Sequence, residues 1–495
     1  MKEVKKNTVV PLEIGNVNAK GFGVGRVGDF VLLAEGALPG EKVEARVLKV
    51  KARYGYAKVQ RVLKPSPHRI KNDCSVSDAS RGGSVCGGCQ FRHCDYPGQL
   101  AIKKQIVVDA LTRIAGVEDP PVKDVVGMGS GARVGFAPLK AKSVAESHPR
   151  PLGPARYRNK AVFPVVPAGN TDSFAIGMYA SRSHRIVEVE DCLIQHPAHI
   201  NVLAVVKEYM RRNQVAPYDE TAHKGMMRQI MVRTSLATGE VMVVLVINGE
   251  RLPKEKELAE TLTTEAGVAT VLVNPHTARG NAVLGERFRM LSGSGYIEEK
   301  IGEVRYRISA PSFFQVNPVQ VKVLYDTALG QLRNNLFRSY REPQAEVTIL
   351  DAHAGAGGIA LYATSCQFDT KLNIIGVDIC EAAIVDAKVN AELNGIENAR
   401  FIAGAAEKII PDMLSQDGSR VDAVILDPPR RGCEPELLDA LTAAKVPQVI
   451  YISCDPATLA RDIKRLCAGG YGLRKVIPVD MFPHTGHIEA IALLR

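Results

Sequence analysis

The sequence predicts a multidomain protein. An OB-like β-barrel spans residues 1–65, an α+β central domain with a group of cysteines spans 66–300, and a Rossmann-like α/β domain spans 301–495. Three observations carry this reading. At 495 residues the chain exceeds one ordinary core, and roughly 150 residues per domain gives about three. Residues 8–64 alternate short β-rich runs with glycine turns. Beyond about residue 318, apolar strand-like runs alternate with helical patterns, as in a doubly wound parallel sheet.

In the first segment the strand-like runs include 30–33 and 43–47, with a glycine-rich turn at 21–25. Lys49, Lys51, Arg53 and Lys58 interleave with Tyr54 and Tyr56, a mixture suited to phosphate neutralisation plus base stacking. A solvated strand face has the same composition. Pro65-Ser66-Pro67 marks a boundary, after which the cysteines from 74 to 94 lead into a helix at 99–114, positioned to pack on the C-terminal domain. Residues 127–154 are rich in Gly, Ser, Ala and Pro without a period and read as an insertion. Strands at 161–166 and 240–247 and a helix at 197–212 make the middle α+β. The third segment carries strands at 347–350, 373–377, 422–426 and 448–453, helices at 359–364, 381–394 and 434–444, and a closing strand at 489–494. In such a sheet the active edge lies at the strand C-termini.

Sixty-three Lys and Arg against 53 Asp and Glu give a net charge of +10, which favours phosphate backbones or acidic surfaces. No apolar run approaches the roughly 20 residues needed to cross a bilayer, and the start lacks a signal-like stretch. A soluble cytoplasmic protein is expected, with no membrane partner. In that setting the ten cysteines read as thiols, metal ligands or catalytic groups rather than disulfides.

Cys86-Gly87-Gly88-Cys89 is a CxxC pair with Cys74, Cys94 and Cys192 as further candidates, able to hold a structural zinc or an iron–sulfur cluster; spacing does not separate the two. A redox pair or unligated thiols are the plainer alternatives. The loop from Asp351 to Gly358 follows a strand and opens a helix, so its glycines admit a nucleotide; the pattern fits S-adenosylmethionine or NAD. Asp378 ends the next strand, where a carboxylate can hold ribose hydroxyls. Asp427-Pro428-Pro429-Arg430 is a stiffened strand end beside which a planar substrate fits, or simply a rigid turn. Cys454 stands at a strand C-terminus with Asp455-Pro456 opening a helix, where amides stabilise a thiolate; Cys433 is a weaker competitor. Glu489, His484 and His487 each offer a base. A nucleophile and a base beside a nucleotide fold point to a methyltransferase acting on a nucleobase.

The chain resembles the S-adenosylmethionine-dependent RNA uracil-5-methyltransferases, particularly the bacterial 23S ribosomal RNA branch with an N-terminal TRAM domain. The resemblance rests on Cys86-Gly87-Gly88-Cys89, Tyr157-Arg158-Asn159-Lys160, Ser312-Phe313-Phe314-Gln315-Val316-Asn317, Asp427-Pro428-Pro429-Arg430, the run from Ser453 to Thr458, and the run from His484 to Glu489. It implies Cys454 as nucleophile and Glu489 as base, with Gln315, His353, Asp378 and Asp427 lining the S-adenosylmethionine site. It also implies a [4Fe-4S] cluster on Cys74, Cys86, Cys89 and Cys192. The chain departs from the family pattern in having eleven residues between Cys74 and Cys86, His353 where an aromatic residue such as Tyr is usual, and Ala354 where a cysteine is common.

The chemistry accounts for these residue types. C5 of uracil is too weak a nucleophile to take a methyl group directly, and thiolate addition at C6 makes it an enolate carbon. The expected substrate is a flipped or single-stranded uridine in ribosomal RNA, or alternatively in the T-loop of transfer RNA. An RNA-binding iron–sulfur protein with an inactive enzyme fold is a distant alternative, and a nicotinamide oxidoreductase a weaker one, since it has no use for Cys454.

Overall fold

The structure is a computed structural model and describes residues 4–76, 86–129, 154–169, 173–280, 282–339, 346–366, 371–416 and 420–495. Most of the 127–154 segment therefore lies outside the described residues. The chain forms two compact units, one of Met1–Asp78, Gly88–Gly127 and Pro428–Arg495, the other of Ala79–Gly87 and Met128–Asp427.

The first unit begins with the expected barrel, closed by the strands Val9–Val17, Phe22–Val27, Phe30–Glu35, Lys42–Val50 and Tyr54–Lys64, the fifth lying between the third and the fourth. Period-2 alternation sends Leu12, Ile14, Leu32, Val43, Val47 and Ala57 inward. Glycine is required where the barrel turns tightly: a Cβ on Gly55 would lie 2.9 Å from both Leu32 Cδ2 and the Lys49 carbonyl oxygen. The fully buried Glu41 ties the barrel to the next segment by accepting from the amides of Leu38 (2.8 Å) and Ser66 (3.2 Å) and from Arg69 Nη2 (2.8 Å). Burial raises its pKa, but the Arg69 bond and the two amides outweigh that and hold the carboxyl below its ordinary value.

The helix Tyr96–Ala110 starts at Asp95, whose carboxylate accepts from the Gly98 amide, with Pro97 in the first turn. It continues into a π-turn at Leu111–Ala115 and stops at Gly116, φ 77°. Ile102 and Ile106 pack with Val17, Leu38, Phe91 and Cys94. The helix also touches the helix Pro456–Ala468 and the strand Leu473–Val479. Glu489–Leu494 runs antiparallel between Val449–Ser453 and Leu473–Val479. This departs from the all-parallel expectation, because the connection from Val479 to Glu489 is a loop without the helix that a parallel crossover needs.

In the second unit seven strands form one sheet, ordered Arg289–Ser292, Thr270–Pro275, Val241–Ile247, Met227–Thr234, Lys160–Pro167, Phe174–Tyr179 and Ile186–Glu188. The helices Pro197–Arg212 and Glu255–Ala266 contribute Val202, Val206, Leu258 and Leu262 to its core. The same unit holds four parallel strands in the order Ala399–Ala403, Leu372–Asp378, Val347–Ala352 and Ala423–Leu426. Helices Gly358–Ser365, Glu381–Leu393 and Ala406–Ser415 connect or follow these strands in α/β alternation. A hairpin, Tyr296–Ile301 with Val304–Ser309, was not foreseen from the sequence.

Candidate functional site

Within the first unit, Val449–Ser453 is buried throughout, and Cys454 emerges half-buried at its C-terminal end. Asp455 caps the following helix, accepting from the amides of Ala457 (2.9 Å) and Thr458 (3.3 Å). Cys454 thus sits where a helix N-terminus favours negative charge on sulfur. The antiparallel register pairs Ser453 with Ala490, so Cys454 and Glu489 are the next residues outward on the two chains. Glu489 is 4% exposed.

This register separates the three bases that the sequence left open. His487 is exposed and meets Phe482 edge-on. His484 is buried, with Arg92 Nη1 3.0 Å from Nε2 and Gln99 Nε2 3.1 Å from Nδ1, so a donor stands opposite whichever nitrogen carries the lone pair. A neutral imidazole has one lone pair, and a donor already faces it on either side. Of the three, Glu489 is the one that follows directly on the last paired residue of the closing strand, opposite the end of the cysteine's strand.

The loop after Pro428 is locked from behind. Tyr451 donates to Asp462 Oδ2 (2.6 Å), which also accepts from the Cys433 amide (3.0 Å), and Arg461 Nε donates to Asp462 Oδ1 (2.7 Å). Gly432, φ 80°, fits because a Cβ there would lie 2.5 Å from Asp462 Oδ2 and from Arg461 Nη2. Burial pushes the Cys433 thiol up to about 12, which removes it as a competing nucleophile. Tyr451 and Asp462 escaped the sequence reading because a buried Tyr–Asp bond leaves no spacing signal.

The other candidates lie in the second unit. His353, φ 69°, and Ala354 both donate their amides to the Val377 carbonyl, which turns the chain into Gly355, φ 55°. A Cβ on Gly355 would meet nothing within 4 Å, so the loop faces open space. Asp378 accepts from the Gly355 amide (2.9 Å) and the Cys380 amide (2.8 Å). Asp351, named in the sequence only as the start of a motif, is a fully buried carboxyl. Burial and then the charges of Asp427 and Asp378 push it well above its ordinary value. Burial pushes Asp427 up to about 7. Three carboxyl groups at one strand edge suit a cationic, nucleoside-bearing cofactor such as S-adenosylmethionine.

The motifs at 157–160 and 312–317 are bonded to each other within this unit. Asn159 donates its amide to the Val316 carbonyl (2.9 Å) and Nδ2 to the Gln315 carbonyl (3.2 Å). The buried Arg233 donates to the carbonyls of Ser309 (3.1 Å) and Ser312 (2.7 Å), and Asp386 accepts from both serine hydroxyls. Gln315 is buried, whereas Phe313 is 65% exposed.

Cys74, Cys86, Cys89 and Cys192 are all half-buried. Among the described residues no group of three or more His, Cys, Asp or Glu is placed to hold a metal ion, so the expected cluster gains no support from the geometry. No helix among the described residues is long and apolar enough to cross a membrane.

Comparison with known proteins gives the family and agrees with the fold. Residues 302–495 match the family described as tRNA (uracil-5-)-methyltransferase, and residues 3–60 match the TRAM domain. The chain is 39% identical to an uncharacterized RNA methyltransferase of Halalkalibacterium halodurans over 99% of its own length and 98% of that protein. It is 37% identical to another from Clostridium tetani, over 99% and 97%. Among solved structures, the Pyrococcus abyssi tRNA (uracil-54, C5)-methyltransferase in complex with S-adenosyl-L-homocysteine superposes with a TM-score of 0.71 at 25% identity, over 98% of this chain and 99% of that one. The fold and site define a S-adenosylmethionine-dependent RNA methyltransferase. Within that class, the chain belongs to the RNA uracil-5-methyltransferase family with a TRAM domain.

Proposed function

We propose that the protein forms 5-methyluridine in 23S ribosomal RNA by covalent catalysis through Cys454. The observation that supports the mechanism is the antiparallel register that pairs Ser453 with Ala490, the neighbours in sequence of Cys454 and Glu489. The Cys454 thiolate adds to C6 of a flipped uridine, forming the C6–S bond and moving the C5=C6 electron pair into an enolate. S-adenosylmethionine supplies an electrophilic methyl group, which C5 takes, and S-adenosylhomocysteine leaves. Glu489 removes the C5 proton, the C5=C6 bond reforms, and the Cys454 thiolate is expelled. Gln315, His353, Asp378 and Asp427 hold the cofactor, Asp427 facing its cationic centre. The Pyrococcus abyssi structure favours a second reading, the same chemistry on transfer RNA. Capture of the protein on 5-fluorouridine-substituted ribosomal or transfer RNA distinguishes the two, because fluorine at C5 cannot leave as a proton. A Cys454 adduct only on transfer RNA overturns the ribosomal assignment.

The cofactor assignment carries a pH dependence. Burial pushes the Asp427 carboxyl up to about 7 and a cationic sulfonium beside it stabilises the ionised form, so affinity for S-adenosylmethionine is expected to rise as pH is raised through 7. At one pH unit below that midpoint binding is expected to be about tenfold weaker than on the alkaline plateau. S-adenosylhomocysteine, lacking the sulfonium charge, shows a flatter profile in titration calorimetry. Identical slopes for the two ligands would remove Asp427 from the cationic centre.

The barrel is the proposed grip on the RNA strand. Lys51 Nζ stands 5.2 Å from the ring centroid of Tyr54 and 5.9 Å from that of Tyr56, and the two rings are 5.6 Å apart. Lys42 and Arg61 pair with Glu13 and Glu44, whereas among the described residues Lys49, Arg53 and Lys58 lie within ion-pair distance of no carboxylate. A base stacked on such rings contributes about 1–3 kcal/mol. Replacing Tyr54 and Tyr56 together with alanine should weaken RNA binding about tenfold or more in a filter assay and leave cofactor affinity unchanged. Unaltered RNA binding would move the grip elsewhere.

On the CxxC spacing of Cys86 and Cys89, we also propose that Cys74, Cys86, Cys89 and Cys192 hold a [4Fe-4S] cluster. No step above runs through it. Anaerobic reconstitution should give iron, sulfide and a visible charge-transfer band, all lost on Cys86→Ser and Cys89→Ser replacement. Stoichiometric zinc in the purified protein would replace this reading with a structural zinc site.

A further inference from the structure

The nine residues before Glu489 form no helix or strand, yet four of them are held by one segment of the same unit. His484, φ 66°, accepts at its carbonyl from the amides of Gln90 and Phe91, each at 2.9 Å. Its own amide donates to Gln99 Oε1 (2.8 Å), and its ring stands between Gln99 Nε2 and Arg92 Nη1. Gln99 Nε2 also donates to the carbonyl of Cys94 (2.9 Å), which anchors the amide. Two residues on, the Gly486 amide donates to Gln90 Oε1 (3.1 Å). At the loop's start Lys103 donates to Asp480 Oδ1 (2.6 Å) and to the Phe482 carbonyl (2.9 Å), both charged groups being fully buried. Residues 480, 482, 484 and 486 are therefore fixed in turn by residues 90–103.

A loop with no ladder of its own takes its shape from such bonds. The base it leads into must stay within hydrogen-bond reach of one proton, and displacement by about 1 Å can cost on the order of 10²-fold. We infer that Gln99 and Arg92 are positioning residues for the proton-removal step, holding His484 so that the Glu489 carboxylate is aimed at C5. The inference rests on the proposed role of Glu489, and it separates proton removal from thiolate addition, since Cys454 is held by its own strand and cap.

That separation supplies the test. The holoprotein and its Gln99→Ala, Arg92→Ala, Arg92→Lys and Glu489→Gln variants are incubated with S-adenosylmethionine and unsubstituted substrate RNA, and denaturing gels follow the covalent complex and product with time. Gln99→Ala and Arg92→Ala should bind S-adenosylmethionine within about twofold of the parent, release product about tenfold to a hundredfold more slowly, and accumulate methylated adduct. Arg92→Lys, which keeps a donor for His484 Nε2, should restore release. Should both alanine variants lose adduct and cofactor binding together, or turn over like the parent, the inference is overturned. Should Glu489→Gln itself accumulate no adduct, the role of Glu489 falls first and the positioning role with it.

Discussion

Replacing Cys454 with alanine abolishes both methyl transfer and covalent capture of 5-fluorouridine-substituted RNA, while affinity for S-adenosylmethionine stays within about twofold of the parent. The expected loss is on the order of 10⁴-fold or more, because the thiolate does not assist an existing reaction but creates the nucleophilic carbon that reacts. Cofactor binding is expected to survive because the proposed cofactor residues Asp378 and Asp427 belong to the other compact unit. The alanine itself is well tolerated, since Cys454 lies half-buried beyond the last buried residue of its strand and the Asp455 cap persists. Tritium release from C5-labelled uridine together with gel capture measures both losses. Residual capture through Cys433 is not expected, as that thiol is buried and its amide is bonded to Asp462. Turnover above a hundredth of the parent rate would mean that the enolate forms without this thiol.

Much of the proposed site rests on chemistry that is written locally in the sequence. Cys454 announces itself by an apolar run before it and Asp-Pro after it, and the glycine loop at 355–358 by its place between strand and helix. The barrel was legible from period-2 runs broken by glycines. What escaped the sequence was the part built by distant pairing. Gln99 and Lys103 lie four residues apart on a helix face shared with Ile102 and Ile106, and all four are buried. Polar residues inside an apolar stripe are the one signal that could have marked them, since burying them requires partners. Those partners are near residues 480 and 484, which no local pattern connects to residue 99. The antiparallel closing strand was equally hidden. A period-2 run shows that a strand exists and does not show which way it runs, and only the loop at 480–488 fixes its direction.

Glu489→Gln should stop the reaction one step later than Cys454→Ala, and that difference in stage is what identifies a base. The amide is isosteric and keeps the place that the Ser453–Ala490 register assigns, so thiolate addition and methyl transfer proceed. The C5 proton then has no acceptor of adequate basicity, and elimination slows by about 10²–10⁴-fold, the usual contribution of a positioned base. The expected result is a methylated, covalently linked protein–RNA complex on unsubstituted RNA, visible by mass spectrometry as the protein plus a methylated oligonucleotide. His484 cannot relieve the block because Arg92 and Gln99 already flank its ring, and the exposed His487 is turned toward Phe482. A variant that neither turns over nor forms adduct would place the role of Glu489 before methyl transfer, in activating the thiol or orienting uracil. One that turns over normally would transfer the proton to water.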